Sequence, residues 1–230
     1  MSLSEDLIAR FARQLLVPGF GESAQERLLA ARIRAVGADA VAGPGLLHLA
    51  QAGVGRIWVD DPEDVSPADM GGWLYGPSAV GSPRAEAARA VLEQTSRHLS
   101  VEPYPVGGVP TAAFICAPSV AQALAAAETA RRARLPHVVV EVDADGGAVV
   151  TVPPGAPCYA CGRSVSGSGR PPQPGFAALS ALAAAELVLV IANPGSATGR
   201  RIDLTRGVAT VRPTVRLAGC PCGVEGTASS

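Results

Sequence analysis

The stretch IRAVGADAVAGPGLLHLAQAGVGRIWVDD, from Ile33 to Asp61, limits the fold of this chain more than any other part of it. An apolar, β-branched run at Ile33 to Val36 meets a turn at Gly37. A helix-forming segment follows from Pro44 to Ala52, and a second β-type run occupies Arg56 to Val59. That change of period, from strand to helix and back, describes a strand joined by a helical crossover to a parallel neighbour. A turn of this kind that receives a phosphate needs glycine at the bend, where the backbone approaches the phosphate, and where helix packs on strand. Gly37 fills the first place, but no further glycine follows before Gly43, and Asp39, Ala40 and Ala42 lie between. A phosphate about 4 Å from the Asp39 carboxylate would meet roughly 4 kcal/mol of repulsion per unit-charge pair at an effective dielectric near 20. The expectation is a kept backbone path with weakened phosphate binding.

The same alternation continues. Pro83 to His98 reads as a helix, Val101 to Pro103 and Ala112 to Cys116 as strands, Ser119 to Arg134 as a helix and His137 to Val142 as a strand. Apolar strands separated by helices predict an α/β fold, a Rossmann-like, mostly parallel sheet flanked by helices on both faces. After Asp143 the pattern changes to a turn and strand, the cysteine pair CYAC, the extended crossover GRSVSGSGRPPQPG, a helix from Phe176 to Asn193 and a hairpin. The expected division is an α/β domain over residues 1–155 and a metal-stapled C-terminal lobe over 156–230. The helix at Phe176 to Asn193 is short for a membrane span, is bounded by proline and glycine, and carries Glu186, which is expected to pair with an arginine or cap an interface. No membrane and no nucleic acid are expected as partners, since 19 basic and 20 acidic residues leave no strong positive field. An acidic N-terminus without a signal-like apolar core makes the cytoplasm the expected location.

Five cysteines sharpen the site. Cys158 and Cys161 in CYAC, with Cys220 and Cys222 in CPC, suit four thiolates around one tetrahedral zinc ion, stitching the crossover to the terminal segment. Disulfides, free thiols and an iron–sulfur or redox role are the competing readings. Cys116, at the end of an apolar strand, reads as a small buried hydrophobe, and His48, His98 and His137 lack metal-ligand spacing.

The motifs RFARQLLVPGFGESAQERLLAARI, GLLHLAQAGVGRIWVDD, VGSPRAEAA, PPGAPCYACG and CPCG stand in an order that resembles the ThiF/MoeB/E1-like adenylating family over roughly Leu7 to Gly223. The resemblance implies ATP and magnesium, adenylation of the C-terminal glycine of a ubiquitin-like or sulfur-carrier protein, a dimer, and a structural zinc. Carried over residue by residue, it places Gly37 at the phosphate turn, Asp61 at the nucleotide ribose with Glu63 as a second acid, and Arg84 where the family has a lysine. Arg13 falls where an arginine reaches the partner subunit's ATP. Gly72 and Pro118 replace a family arginine and the magnesium-binding aspartate, and residues 163–175 hold no cysteine for covalent chemistry. No catalytic residue is assigned. The expectation is a zinc-binding, non-catalytic scaffold, homodimeric or paired with an E1/ThiF-like subunit; the alternative is an ATP-dependent adenylyltransferase.

Overall fold

A computed structural model describes residues 3–163 and 173–223. Its centre is an eight-stranded sheet. Strands β1 (Arg32–Val36), β2 (Arg56–Asp60), β3 (Ser100–Pro103), β4 (Ala112–Ile115) and β5 (His137–Asp143) are parallel, and β6 (Gly146–Val152), β7 (Arg200–Thr205) and β8 (Val208–Pro213) extend it antiparallel in the order β3-β2-β1-β4-β5-β6-β7-β8. The reversal from β1–β2–β3 to β4–β5 opens a crevice beyond the C-terminal end of β1, where open α/β sheets bind ligands. The sheet runs unbroken across residue 155, with β6 and β7 paired from Gly146–Thr205 to Thr151–Arg200.

Both faces are covered, as the continuous apolar strands require. Phe114 of β4 and Val138 of β5 point into a core built with α2 (Gly21–Ala30), α3 (Gly43–Ala52), α4 (Arg84–Thr95) and α7 (Gln173–Ala192). Ala113, Ile115 and Val139 point the other way, onto α5 (Val120–Arg132) and the single turn α6 (Tyr159–Gly162). Helix α1 (Glu5–Leu15) lies outside α2 and buries Phe11. The helix expected from Ser119 begins one residue later because Ser119 caps it, its hydroxyl accepting from Gln122 N at 3.3 Å. The helix expected to run to His98 stops at Thr95, where Ser96 is extended.

Helix α7 is apolar around its whole circumference and packs most of it, leaving an exposed stripe at Ala178, Ala185 and Leu189. Leu179, Ala183 and Leu187 are fully buried, and Ser180 bridges it to α3, accepting from Gly45 N at 2.9 Å. Glu186 finds the arginine its burial demands. Arg200 donates to both its carboxylate oxygens at 2.7 and 2.8 Å, and Thr151 donates at 2.8 Å. Glu186 is 5% exposed and Arg200 35%, so the pair is half-screened. Glu186→Ala is expected to cost about 2–3 kcal/mol, less than a fully buried pair, by stranding Arg200 and Thr151. Denaturant unfolding measures it, and a loss below about 0.5 kcal/mol would contradict the role.

Candidate functional site

The turn after β1 has the predicted path and an unpredicted occupant. Gly37 adopts φ 89°, and a Cβ there would lie 2.4 Å from the Cys116 carbonyl oxygen, so glycine is required. Asp39 turns inward along the chain. Its Oδ1 accepts from Val41 N at 2.9 Å and Ala42 N at 3.2 Å, closing the turn that leads into the helix beginning at Gly43. The carboxylate expected to repel a phosphate is used by the fold to tie down the turn.

Asp61 and Arg84 meet, but in an arrangement closed to solvent. Asp61 Oδ2 accepts from Ala38 N at 2.8 Å and from Arg84 Nη1 at 3.2 Å, while Oδ1 accepts from Glu63 N at 3.0 Å. Its side chain is 5% exposed. Arg84 Nη2 also donates to Asp69 Oδ2 at 3.0 Å, so one guanidinium lies between two carboxylates. Burial alone would lower the Arg84 pKa, but the hydrogen bond to Asp69 and the charge of Asp61 outweigh it and raise the value. Burial would likewise raise that of Asp69; bonds from the Ser66 backbone and hydroxyl, together with Arg84, hold it below the usual carboxylate range. Glu63 is exposed, and its carbonyl accepts from Arg84 N at 3.0 Å.

Asp69 and Tyr75 were missed in the sequence. Asp69 Oδ1 accepts from Ala40 N at 3.2 Å, and Tyr75 donates its hydroxyl to the Ala38 carbonyl at 2.7 Å, clasping the 67–76 loop onto the turn. Burial holds the Tyr75 phenol well above its ordinary pKa. The available signal was SPAD, Ser66 to Asp69, whose spacing forms a capping box in the structure. Gly72 belongs to this clasp: a Cβ there would lie 2.4 Å from Ala40 Cα and 2.5 Å from its carbonyl oxygen. The position that would carry an arginine has no room for a side chain.

Three cavities converge on Pro118. One of about 300 Å³ reaches Gly37, Asp61, Glu63 and Gln122. A second of about 390 Å³ opens over Asp39, Cys116 and Val140. A third of about 130 Å³ leads to Glu141, Tyr159 and Arg163. Cys116 is 3% exposed, and burial, with the nearby Asp39 charge, pushes its thiol well up, which keeps it unreactive. Arg13 lines none of these cavities. It is exposed in the last turn of α1.

The four expected cysteines come together. Cys158 Sγ lies 3.7 Å from Cys161 Sγ and 3.6 Å from Cys220 Sγ, Cys161 lies 3.6 Å from Cys222, and all four sulfurs are within 4.8 Å of one another. Sulfurs about 2.3 Å from a central tetrahedral zinc are about 3.8 Å apart, so the cluster could hold such an ion without rearrangement. The fold builds it by placing Cys158 at the N-cap of the α6 turn and Cys161 within it, with Leu217 N donating to Cys161 Sγ at 3.4 Å. The shorter CPC spacing is accommodated by a 3-10 turn at Pro221–Gly223. Burial raises the Cys158 thiol to about 12; at Cys222 burial acts the same way, but hydrogen bonding to the Cys158 backbone and the other thiols brings it down to about 7.

A Rossmann-type sheet with an antiparallel extension, a nucleotide-type turn and a four-cysteine cluster defines the class. The chain belongs to the ThiF family, whose model matches residues 11–201. Among curated relatives, the heterocyst protein HesA of Trichormus variabilis is 30% identical over 249 aligned positions, covering 97% of this chain and 91% of HesA. The probable adenylyltransferase/sulfurtransferase MoeZ of Mycobacterium tuberculosis is 37% identical over 89 residues, which span 38% of this chain and only 23% of MoeZ. The sulfur carrier protein adenylyltransferase of Thermus thermophilus is 35% identical over 46% of this chain and 40% of its own length. Among solved structures, E. coli MccB with succinimide superposes with a TM-score of 0.80 at 17% identity, covering 94% of this chain and 74% of MccB. PaaA superposes at 0.72 and 16% identity, covering 93% and 84%. These last likenesses establish the fold.

Proposed function

We propose that this ThiF-family protein works by binding, as a zinc-stapled scaffold or partner subunit for a carrier-protein or adenylating system. Family members are ATP-dependent adenylyltransferases, and that chemistry needs cations on the phosphates and a metal-binding carboxylate. The observation that carries the reading is Arg84. The cation at the position of the family lysine is only 14% exposed and bound to Asp61 at 3.2 Å and Asp69 at 3.0 Å, so it brings no net positive charge to an incoming phosphate. Gly72 offers no side chain, and Pro118 can neither hold magnesium nor donate a proton. Asp61, already accepting from Ala38, Glu63 and Arg84, has little capacity left for a ribose hydroxyl.

The partner in this reading is a second copy of the chain or an ATP-competent ThiF/E1-like subunit, to which Arg13 on exposed α1 would be lent. A ubiquitin-like or sulfur-carrier protein is the third component. Leu16 and Val17, 82% and 51% exposed just beyond that helix, supply apolar surface suited to such contact. Zinc in the thiolate cluster fits a reducing, cytoplasmic setting. The competing reading, adenylyl transfer by this chain itself, draws on the open cavities around Pro118 and on the activities named for MoeZ and the Thermus protein.

Calorimetry with Mg-ATP separates the two, paired with pyrophosphate exchange in the presence of a Gly-Gly-ending carrier protein. Enzymes typically work with KM values of about 1 μM–1 mM. No saturable Mg-ATP binding in that range and no exchange are expected. Saturable binding with carrier-dependent exchange would establish the enzyme and sink the scaffold.

A further inference from the structure

The sheet is covered unevenly. Strands β1 and β2 are joined through α3, β2 and β3 through α4, and β4 and β5 through α5, whereas β3 runs to β4 through residues 104–111 with no helix. Helices α3 and α4 pack on one face, so on the α5 side β1, β2 and β3 have no helix above them among the described residues. Their sequences answer to this. RIRAV and RIWVD alternate polar and apolar, and turn Arg34, Trp58 and Asp60 to the bare side.

Register sets Ala113, Arg34 and Trp58 side by side across β4, β1 and β2. A groove of about 340 Å³ opens beside this row, between the 104–111 loop and the C-terminal end of α5. That is the far end of α5 from Pro118, although Arg34 and Thr129 border both the groove and the cavity that reaches Gly37. Its walls are mostly apolar, with Val109, Pro110, Ala113, Ala130, Ala133 and Leu135. Two of its polar side chains are already committed. Tyr104 donates its hydroxyl to the Gly108 carbonyl at 3.0 Å, and Thr129 donates to the Ala125 carbonyl at 2.9 Å. Arg34 gives Nε and Nη2 to Asp60 and holds its guanidinium 4.7 Å from the centre of the Tyr104 ring. Its Nη1 donates to nothing among the described residues, and the side chain is 21% exposed.

The groove therefore offers one fixed side-chain donor in an apolar trough, with a volume inside the range of about 300–1,000 Å³ usual for small-ligand sites. That donor belongs to an ion pair. An anion would be desolvated against two charges that cancel, whereas an uncharged carbonyl oxygen needs only the N–H. We propose that this groove is a second binding site, for a small apolar molecule that carries one uncharged carbonyl acceptor and sets it on Arg34 Nη1. The site is independent of whether the chain adenylates.

Benzamide is the probe, followed by amide chemical-shift mapping of the full chain. Wild type should show saturable shifts centred on Val109, Ala113 and Leu135. Toluene, which lacks the acceptor, should bind about 10-fold more weakly, and benzoate should also bind more weakly than benzamide. Ala133→Phe places a ring at an exposed position on the groove wall. It should weaken benzamide at least about 10-fold and leave the melting temperature within about 2 °C of wild type. Arg34→Met should bring benzamide down to the affinity of toluene; if that variant does not fold, Ala133→Phe and the toluene comparison carry the test. No saturation in wild type up to about 10 mM, the weak limit for a fragment of this size, overturns the site. So do shifts centred on Gly37 and Asp61, or an Ala133→Phe variant that binds as tightly as wild type. Toluene or benzoate binding as tightly as benzamide overturns the ligand class. None of these results involves Mg-ATP, so this site and the scaffold reading fail separately.

Discussion

Replacing Cys158 and Cys161 together by serine should leave the protein without metal and lower its melting temperature by roughly 10 °C or more. Zinc in small structural sites is worth on the order of 10 kcal/mol of folding free energy, and about 1 kcal/mol moves the midpoint of a domain this size by about 2–4 °C. Most of that free energy is expected to be local. Residues beyond β8 are largely exposed, from Thr214 through Cys222, and little apolar packing ties them down. What reaches them is the sulfur cluster, the Leu217 bond to Cys161 and the Thr214 N–H to the Gly199 carbonyl at 3.1 Å. Without the ion, four thiols would crowd within 4.8 Å in a half-buried site that raises the Cys158 thiol to about 12. Elemental analysis should find about one zinc per chain in wild type and none in the double variant. Metal-free wild-type protein, with an unchanged melting temperature in the variant, would remove zinc from the account of this fold.

Gly72→Arg should not restore nucleotide chemistry; it should cost about 2–4 kcal/mol of stability. Placing at this position the arginine that the family resemblance implies is the obvious repair, yet the first added atom would meet Ala40 Cα at 2.4 Å and its carbonyl oxygen at 2.5 Å. Those atoms are backbone in the turn itself and cannot swing aside. Gly43 sits in the same contact, a Cβ there meeting the Gly72 carbonyl oxygen at 2.4 Å, so the two segments are interlocked through glycines. Displacing the 67–76 loop would also break Asp69 from Ala40 and Tyr75 from Ala38. Gly72→Ala provides the control, since it tests the clash without the charge and should lose a large part of the same stability. Urea denaturation of both variants measures this. An arginine variant that is fully stable and binds Mg-ATP would show that the loop moves freely and that Gly72 was a lost contact rather than a packing requirement.

The architecture was legible because its signals are local. Strand period, helix period and the bend at Gly37 are each written within a few residues, and the parallel order follows once helices separate the strands. The cysteine cluster was legible for a different reason. Two short pairs of thiols have few ways to be satisfied, and the fold brings all four to one point. Glu186 was readable as a charge in need of an arginine, although Arg200 could be named only after β7 was seen beside α7.

The sequence by itself determined the strand–turn–helix alternation, the largely buried character of α7 and the grouping of the four cysteines, since these depend on periodicity and on side-chain chemistry that has few alternatives. Only the tertiary structure decided what the charged residues of the turn do. Asp39 could repel a ligand or close its own turn with the same carboxylate, and in the fold its Oδ1 accepts from Val41 N and Ala42 N. Arg84 could face a phosphate or neutralise the interior, and its distance along the chain from Asp61 and Asp69 carried no hint of the choice. It was made when the 61–84 segment folded back over the turn, Gly72 against Ala40, and enclosed those charges where a low dielectric makes an unpaired ion costly.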